Sequence, residues 1–359
     1  MSEIIKIKNF GAIRNIEMIL REINILIGDQ GTGKSTLAKV LIAIHNTAFR
    51  ELFDIAVDNL KTHDTQLFFE HLKIVGIQNY LNKNSEIYYS NSIFTFKFKN
   101  QIAIVERNKI TWDGAISYDF NYIPSERSLV ITLSNSLFAL MQTGTALPQL
   151  FLRFGDKFQK ARKDKRDSDY KNVLGITYSY REDGDFIILK TGQEIPIQDS
   201  SSGIQGTIAL LTVFDYVTKT SAVDNLLVIE EPELNCFPET QYKLVKHFLE
   251  KNSNTLKNKN YKNQLLFTTH SPYILTSLNN LMYAYEVGKV HEEAANKIID
   301  RKFWLNPQDV SAYMLLPNGT CEEILDREEN LIRAEKIDGV SGFLNEQFDA
   351  LLNIELVQK

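Results

Sequence analysis

Apolar and polar residues alternate through the start of the chain and then change period. IIKIKN and NIEMIL read as strands, and INILI, a near-continuous apolar run, reads as a third. LAKVLIAIH follows with helical spacing, so residues 1 to about 46 form a compact strand-rich start ending in a helix. The middle stretch, to about residue 194, is longer and mixed. A helical segment around ELFDIAVDNL precedes strand-like runs IYYS, IFTFKFK, QIAIVE and KITW, with KN and DG as turn residues between them. A helical region from about Leu129 to Asp169 follows, then a hairpin-like pair, ITYSYRE and DFIILK, joined across Asp183 and Gly184. From about residue 195 the opening pattern returns: helix GTIALLTVFDYVTK, buried strand NLLVIE, helix ETQYKLVKHFLEKN, buried strand QLLFTTH. In the tail, Ile324, Leu325, Leu331 and Ile332, then Val340, Phe343, Leu344, Phe348, Leu351 and Leu352 fall at helical spacing, broken at Asp338 and Gly339. No internal repeat or low-complexity segment interrupts this order.

Between INILI and the first helix stands GDQGTGKS, residues 28 to 35, which fits the phosphate-binding spacing G-x-x-x-x-G-K-[ST]. Gly28, Gly31 and Gly33 let the backbone wrap so that its N–H groups face a polyphosphate, with Gln30 and Thr32 completing the loop. A helix beginning at Lys34 adds its positive dipole end. Lys34 is placed to reach the outer phosphates, Ser35 to ligate Mg²⁺ and Thr36 to bond an inner phosphate.

Three later segments supply what such a loop needs. LLVIEEPE, residues 226 to 233, is an apolar strand ending in two carboxylates, with Glu230 suited to the metal and Glu231 to orienting a water; a solvated acidic turn has the same pattern. LFTTHSP, residues 266 to 272, ends a second buried strand with His270, which either touches a terminal phosphate or is structural. DSSSGIQG, residues 199 to 206, opens a helix whose N–H groups suit an anion, or is a helix cap built on Ser201 or Ser202.

Composition changes the picture mainly by exclusion. The 359 residues are 43% hydrophobic and 24% charged, as expected of an ordinary globular chain long enough for one large domain with insertions or for two. A net charge of −5 gives no bulk attraction to nucleic acid or anionic membrane. MSEIIKIKNF carries charges where a secretion signal needs an apolar core, no apolar run approaches a membrane span, and Cys236 and Cys321 are too few for a disulfide framework or a zinc site. The expected compartment is the cytoplasm.

In this order the segments resemble the ATP-binding-cassette ATPases, and more closely the branch containing the RecF, SMC and OLD proteins. NFGAIRNIE before INILIGDQGTGKS is similar to that branch's N-terminal signature, SSGIQ to its signature loop, IEEPELNCFP to its Walker B and D-loop, and TTHSP to its switch histidine. YIPSER, residues 122 to 127, and LNCFP resemble segments of bacterial anti-phage defence ATPases. Departures are Gln30 where the family usually has Asn, Glu230 where Asp is commoner, and Ile204 in place of a frequent glycine. The resemblance implies an α/β fold: a P-loop core of mixed sheet and flanking helices from residues 1–46 and 195–290, an inserted β and helical subdomain over 47–194, and a helical extension over 291–359. It also implies ATP and Mg²⁺ as ligands and a homodimer or higher oligomer in which Ser202, Gly203 and Gln205 of one chain close over the nucleotide of the other. Glu231 would then polarise the attacking water and His270 sense the γ-phosphate.

The middle block is too short and β-rich for a long coiled coil, and the tail shows no clustered acidic set for a nuclease. The expected output is control of a separately encoded effector, nuclease or toxin, in anti-phage defence, with a RecF-like DNA-repair clamp as the alternative. KFQKARKDKRD, residues 157 to 167, bears on that choice: its six basic residues suit a phosphate backbone, but Asp164 and Asp167 dilute them and Phe158 is the one aromatic among them, as on a solvated helix face.

Overall fold

Alternation in the opening strands fits a sheet with one wet face. In the computed structural model, which describes residues 3–54, 61, 62, 65–108, 118–133, 147–221, 223–258, 263–333 and 347, β1 (Glu3–Phe10) pairs antiparallel with β2 (Ile13–Leu20) and turns Ile5, Ile7 and Phe10 inward. β5 (Glu86–Ser90), β6 (Phe94–Lys99), β7 (Ile102–Arg107) and the short β4 (Lys61–Thr62) complete this sheet in the order β2-β1-β5-β6-β7-β4.

The continuous apolar runs lie side by side in a second sheet. β3 (Ile23–Ile27), β8 (Tyr118–Ile123), β13 (Asp224–Glu230), β14 (Asn263–Thr269) and β15 (Val310–Leu315) run parallel, with β16 (Cys321–Glu323) antiparallel at one edge, in the order β16-β15-β3-β14-β13-β8. The two-residue period of a strand divides its side chains between two cores. Leu26, Leu226, Val228 and Leu266 belong to a core shared with α1 (Lys34–Asp54) and the antiparallel sheet. Ile25, Leu227, Ile229, Leu265 and Phe267 belong to one shared with α6 (Ser202–Thr220), α7 (Pro238–Asn258) and α8 (Pro272–Gly288). Covered on both sides, α1 buries Ala38, Val40, Leu41, Ile42, Ala43 and Ile44, which accounts for a helix that is apolar almost all round.

A third sheet, β12-β11-β10-β9, joins β9 (Asp167–Tyr170), β10 (Ile176–Arg181), β11 (Gly184–Ile188) and β12 (Glu194–Pro196) beside α4 (Gln149–Asp164). The expected hairpin is present, with Arg181 opposite Gly184. Arg162 of α4 bonds the buried Asp185 of β11, which also accepts from the Tyr178 hydroxyl. Removing one partner strands the other charge in an apolar core, so Asp185→Ala is expected to cost about 3 kcal/mol of unfolding free energy, read by urea denaturation. A loss no larger than a surface substitution's would show the pair to be dispensable.

Two core strands fall outside the segments the sequence pattern gives to the core. β8 lies within 47–194 yet pairs with β13, and β15 lies within 291–359 yet pairs with β3. YDFNYI hides its place because Asn121 is satisfied inside, by Asn225, rather than by solvent. The tail differs likewise: Leu325 lies in β17 (Leu325–Asp326) and Leu331 and Ile332 in β18 (Leu331–Ile332), not in a helix. Val340, Phe343, Leu344, Phe348, Leu351 and Leu352, together with KITW and the second half of ELFDIAVDNL, lie outside the described residues. Shorter helices α2 (Thr65–Ile74), α3 (Leu129–Leu133), α5 (Lys171–Leu174) and α9 (Glu292–Ile298) fill the periphery. Among the described residues no helix is long and apolar enough to cross a membrane.

Candidate nucleotide site

The phosphate loop runs from the end of β3 into α1, and its glycines are required by space as well as by torsion. Gly28 has φ +148° and a Cβ there would stand 2.3 Å from the Leu315 carbonyl oxygen; Gly33 has φ +100° and would meet Ile13 at 2.9 Å. The Thr32 hydroxyl donates to Asp29 O at 2.8 Å, and the helix starts with Leu37 N–H donating to Gly33 O at 2.9 Å. Lys34 is 6% exposed and turns its ammonium onto Gly28 O and Asp29 O, at 2.7 and 2.8 Å. Burial lowers its pKa, while Glu231, Asp29, Glu233 and Glu230 pull the other way. Gln30 and Gly31 are exposed, Ser35 is half-buried and Thr36 is buried.

β13 delivers the acidic pair. Glu230 is buried, and its Oε1 has no hydrogen-bond partner. A bare buried carboxylate oxygen is costly unless a cation meets it, so Glu230 with Ser35 fits a divalent ion bound with a nucleotide. Tyr122, from the end of β8, lies beside Glu230, and burial next to that charge raises the phenol's pKa well above its ordinary value. Glu231 leaves the strand with φ +43°, its N–H donating to Thr268 O at 2.8 Å. Its carboxyl is raised above the usual range, first by desolvation, against which His270 acts most strongly. His270 Nε2 lies 3.8 Å from Glu231 Oε1.

The structure therefore brings Lys34, Glu230, Glu231 and His270 to one end of the parallel sheet. Two further residues hold them that motif spacing alone passes over. Glu233 Oε1 accepts from the Thr269 hydroxyl at 2.8 Å and from His270 N–H at 2.7 Å, tying the histidine turn to the acidic turn. Arg127, last residue of YIPSER, donates to Glu230 O and Glu231 O, each at 2.8 Å. The third acid of IEEPE is the sequence signal for Glu233; the resemblance of YIPSER singles out the segment that ends in Arg127 but gives the arginine no role.

The signature segment is held by contacts of its own. Ser201 caps α6, its side chain accepting from Ile204 N, and exposed Ser202 lies 3.5 Å from Asn235 Nδ2. A Cβ on Gly203 would come within 2.4 Å of Asn235 O. Gln205 uses its amide to hold its own loop, donating to Gln198 O and Ser200 O. Among the described residues no hydrogen bond joins 199–206 to 28–36.

Half of the basic run is paired with acidic or polar partners. Lys157 bonds Asp119 and Asn121, Lys160 pairs with Asp156, and Arg162 is buried on Asp185, which leaves Lys163, Lys165 and Arg166 exposed.

This fold and loop define a P-loop nucleotide-binding protein. More specifically, the chain belongs to the AAA ATPase domain family, whose model matches residues 1–117 and 133–275. Residues 118–132, with β8 and Arg127, lie between the two matched stretches. No curated protein matches the sequence. Among solved structures, the SMC head domain from Thermotoga maritima aligns at 11% identity over 77% of this chain and 91% of its own, with a TM-score of 0.40. The recombination mediator protein RecF of the RecFOR pathway aligns at 9% identity over 90% of this chain and 98% of its own, with a TM-score of 0.39. At these scores the likeness extends to neither activity nor partner.

Proposed function

We propose that the chain binds ATP on residues 28–36 and hydrolyses it, with the signature loop of a second copy completing each site. The observation that carries this reading is the gathering of Lys34, Glu230, Glu231 and His270 at one sheet end while Ser202 is held elsewhere, against Asn235. Lys34 binds the outer phosphates in place of the two carbonyls it now caps, and Glu231 accepts a proton from the attacking water. His270, tethered through Glu233, faces the same water and the terminal phosphate. Mg²⁺ held by Ser35 and Glu230 supplies charge neutralisation on the phosphates when bound. Ser202 and Gly203 then act in trans, so that ATP joins two subunits and hydrolysis releases them.

For the output of this cycle we favour control of a separately encoded effector, nuclease or toxin, in anti-phage defence. Of the segments resembling defence ATPases, YIPSER adjoins the nucleotide site and LNCFP the signature loop: Tyr122 lies beside Glu230, Arg127 grips the acidic turn, and Asn235 backs Ser202. A RecF-like DNA clamp is less favoured because half of the basic run is internally paired.

A pH profile tests the chemistry. Only ionised Glu231 can take the proton, and its carboxyl titrates above the ordinary range, so turnover should fall as pH drops through that raised value. The acid limb of kcat is expected above the ~4.3 of an unperturbed glutamate, and to vanish in the residual rate of Glu231→Gln. A wild-type kcat flat from neutral pH down to the unperturbed value would contradict the assignment.

A further inference from the structure

Among the described residues Arg127 is the largest fully buried side chain, 1% exposed, and all the hydrogen-bond acceptors it meets are backbone carbonyls. Nη1 donates to Glu230 O and Pro124 O, Nη2 to Glu231 O and, at 3.5 Å, Pro232 O. The carbonyls of Glu230 and Glu231 belong to the two peptide planes whose relative rotation is the φ and ψ of Glu231. That residue is neither glycine nor asparagine yet has φ +43°, a conformation a glutamate keeps only when its surroundings impose it. A planar guanidinium bonds the two carbonyls from separate nitrogens held in one rigid plane, and so fixes their mutual orientation more tightly than the single nitrogen of an ammonium would.

On the ATPase reading above, we infer that Arg127 is a positioning residue that sets the backbone of Glu231 and so aims its carboxylate at the attacking water. It acts by geometry, through two main-chain carbonyls, and touches neither nucleotide nor water. The signature helix leans on the same clamp: a Cβ on Gly206 of α6 would lie 3.8 Å from Arg127 Cγ and 3.9 Å from Nε. Bulk added at Gly206 should displace the guanidinium without removing it.

The test compares wild type, Glu231→Gln, Arg127→Lys and Gly206→Leu for kcat, KM and equilibrium ATP affinity, with folding checked by circular dichroism. Misaiming a base costs on the order of 10- to 100-fold in rate. Arg127→Lys and Gly206→Leu are expected to lose about that much in kcat while ATP affinity stays within about threefold, because Lys34 and the phosphate loop are untouched. A loss confined to KM or affinity, or wild-type kcat in a folded Arg127→Lys, overturns the inference; if Arg127→Lys does not fold, Arg127→Gln, which also lacks the two-nitrogen fork and lies outside the signature segment, decides in its place. Absence of turnover in wild type, or full turnover in Glu231→Gln, would instead overturn the ATPase reading.

Discussion

On the proposed reading, Glu231→Gln is expected to turn over ATP at least ~100-fold more slowly than wild type while still binding it, and Lys34→Ala to bind it more weakly. The substitution at 231 keeps size and hydrogen-bonding capacity but removes the carboxylate charge that stands 3.8 Å from His270 Nε2 and can accept a proton. Positioned general bases contribute about 10²- to 10⁴-fold, and the raised pKa of Glu231 places it among groups tuned for that work. Lys34 contributes earlier. Its buried ammonium already has four carboxylates drawing on it and two carbonyls capping it, so it is prepared to exchange those carbonyls for phosphate oxygens. Losing a charge-assisted contact worth about 1.5–3 kcal/mol weakens ATP binding roughly 10- to 100-fold. Equilibrium binding of a fluorescent ATP analogue, run beside a phosphate-release assay, separates the two defects. Equal loss of binding in both variants would leave Glu231 without a chemical role.

The segments legible in the sequence are those where function restricts residue type at fixed spacing. GDQGTGKS could be read because only glycine tolerates the torsions and contacts found at Gly28 and Gly33. LLVIEE and LFTTH could be read because strands buried on both faces are continuously apolar until polar residues emerge at the sheet end. What was hidden depends on partners from distant chain segments. β8 carries Asp119 and Asn121, polar residues that suggest a surface strand until Lys157 and Asn225 are seen to meet them. Lys157 and Arg162 look like part of a cationic stripe until Asp119 and Asp185 arrive from other elements. Arg127 is the extreme case, since its partners are main-chain carbonyls that no residue type announces. β15 was lost in a tail judged by helical spacing, although Ser311 and Asn24 meet there in the centre of the sheet.

The most direct test of the central claim, that two copies build each site, is complementation between two inactive chains. Ser202→Arg places a long cation where the signature loop should approach a neighbour's nucleotide. Ser202 is exposed and engages only Asn235 at 3.5 Å, so the fold should tolerate the change. Lys34→Ala disables the phosphate loop of its own chain only. Each homodimer then contains two defective sites, one kind lacking the signature contact and the other lacking the lysine. A heterodimer contains one site with both defects and one with neither: the Lys34 of the first chain facing the Ser202 of the second. Differently tagged chains purified as verified heterodimers should therefore recover up to about half of wild-type turnover, from homodimers that each fall at least ~100-fold below it. Phosphate release is measured on the isolated heterodimer with each homodimer as control. Recovery towards half of the wild-type rate is the predicted result; a heterodimer as inactive as its parents would contradict a site completed in trans.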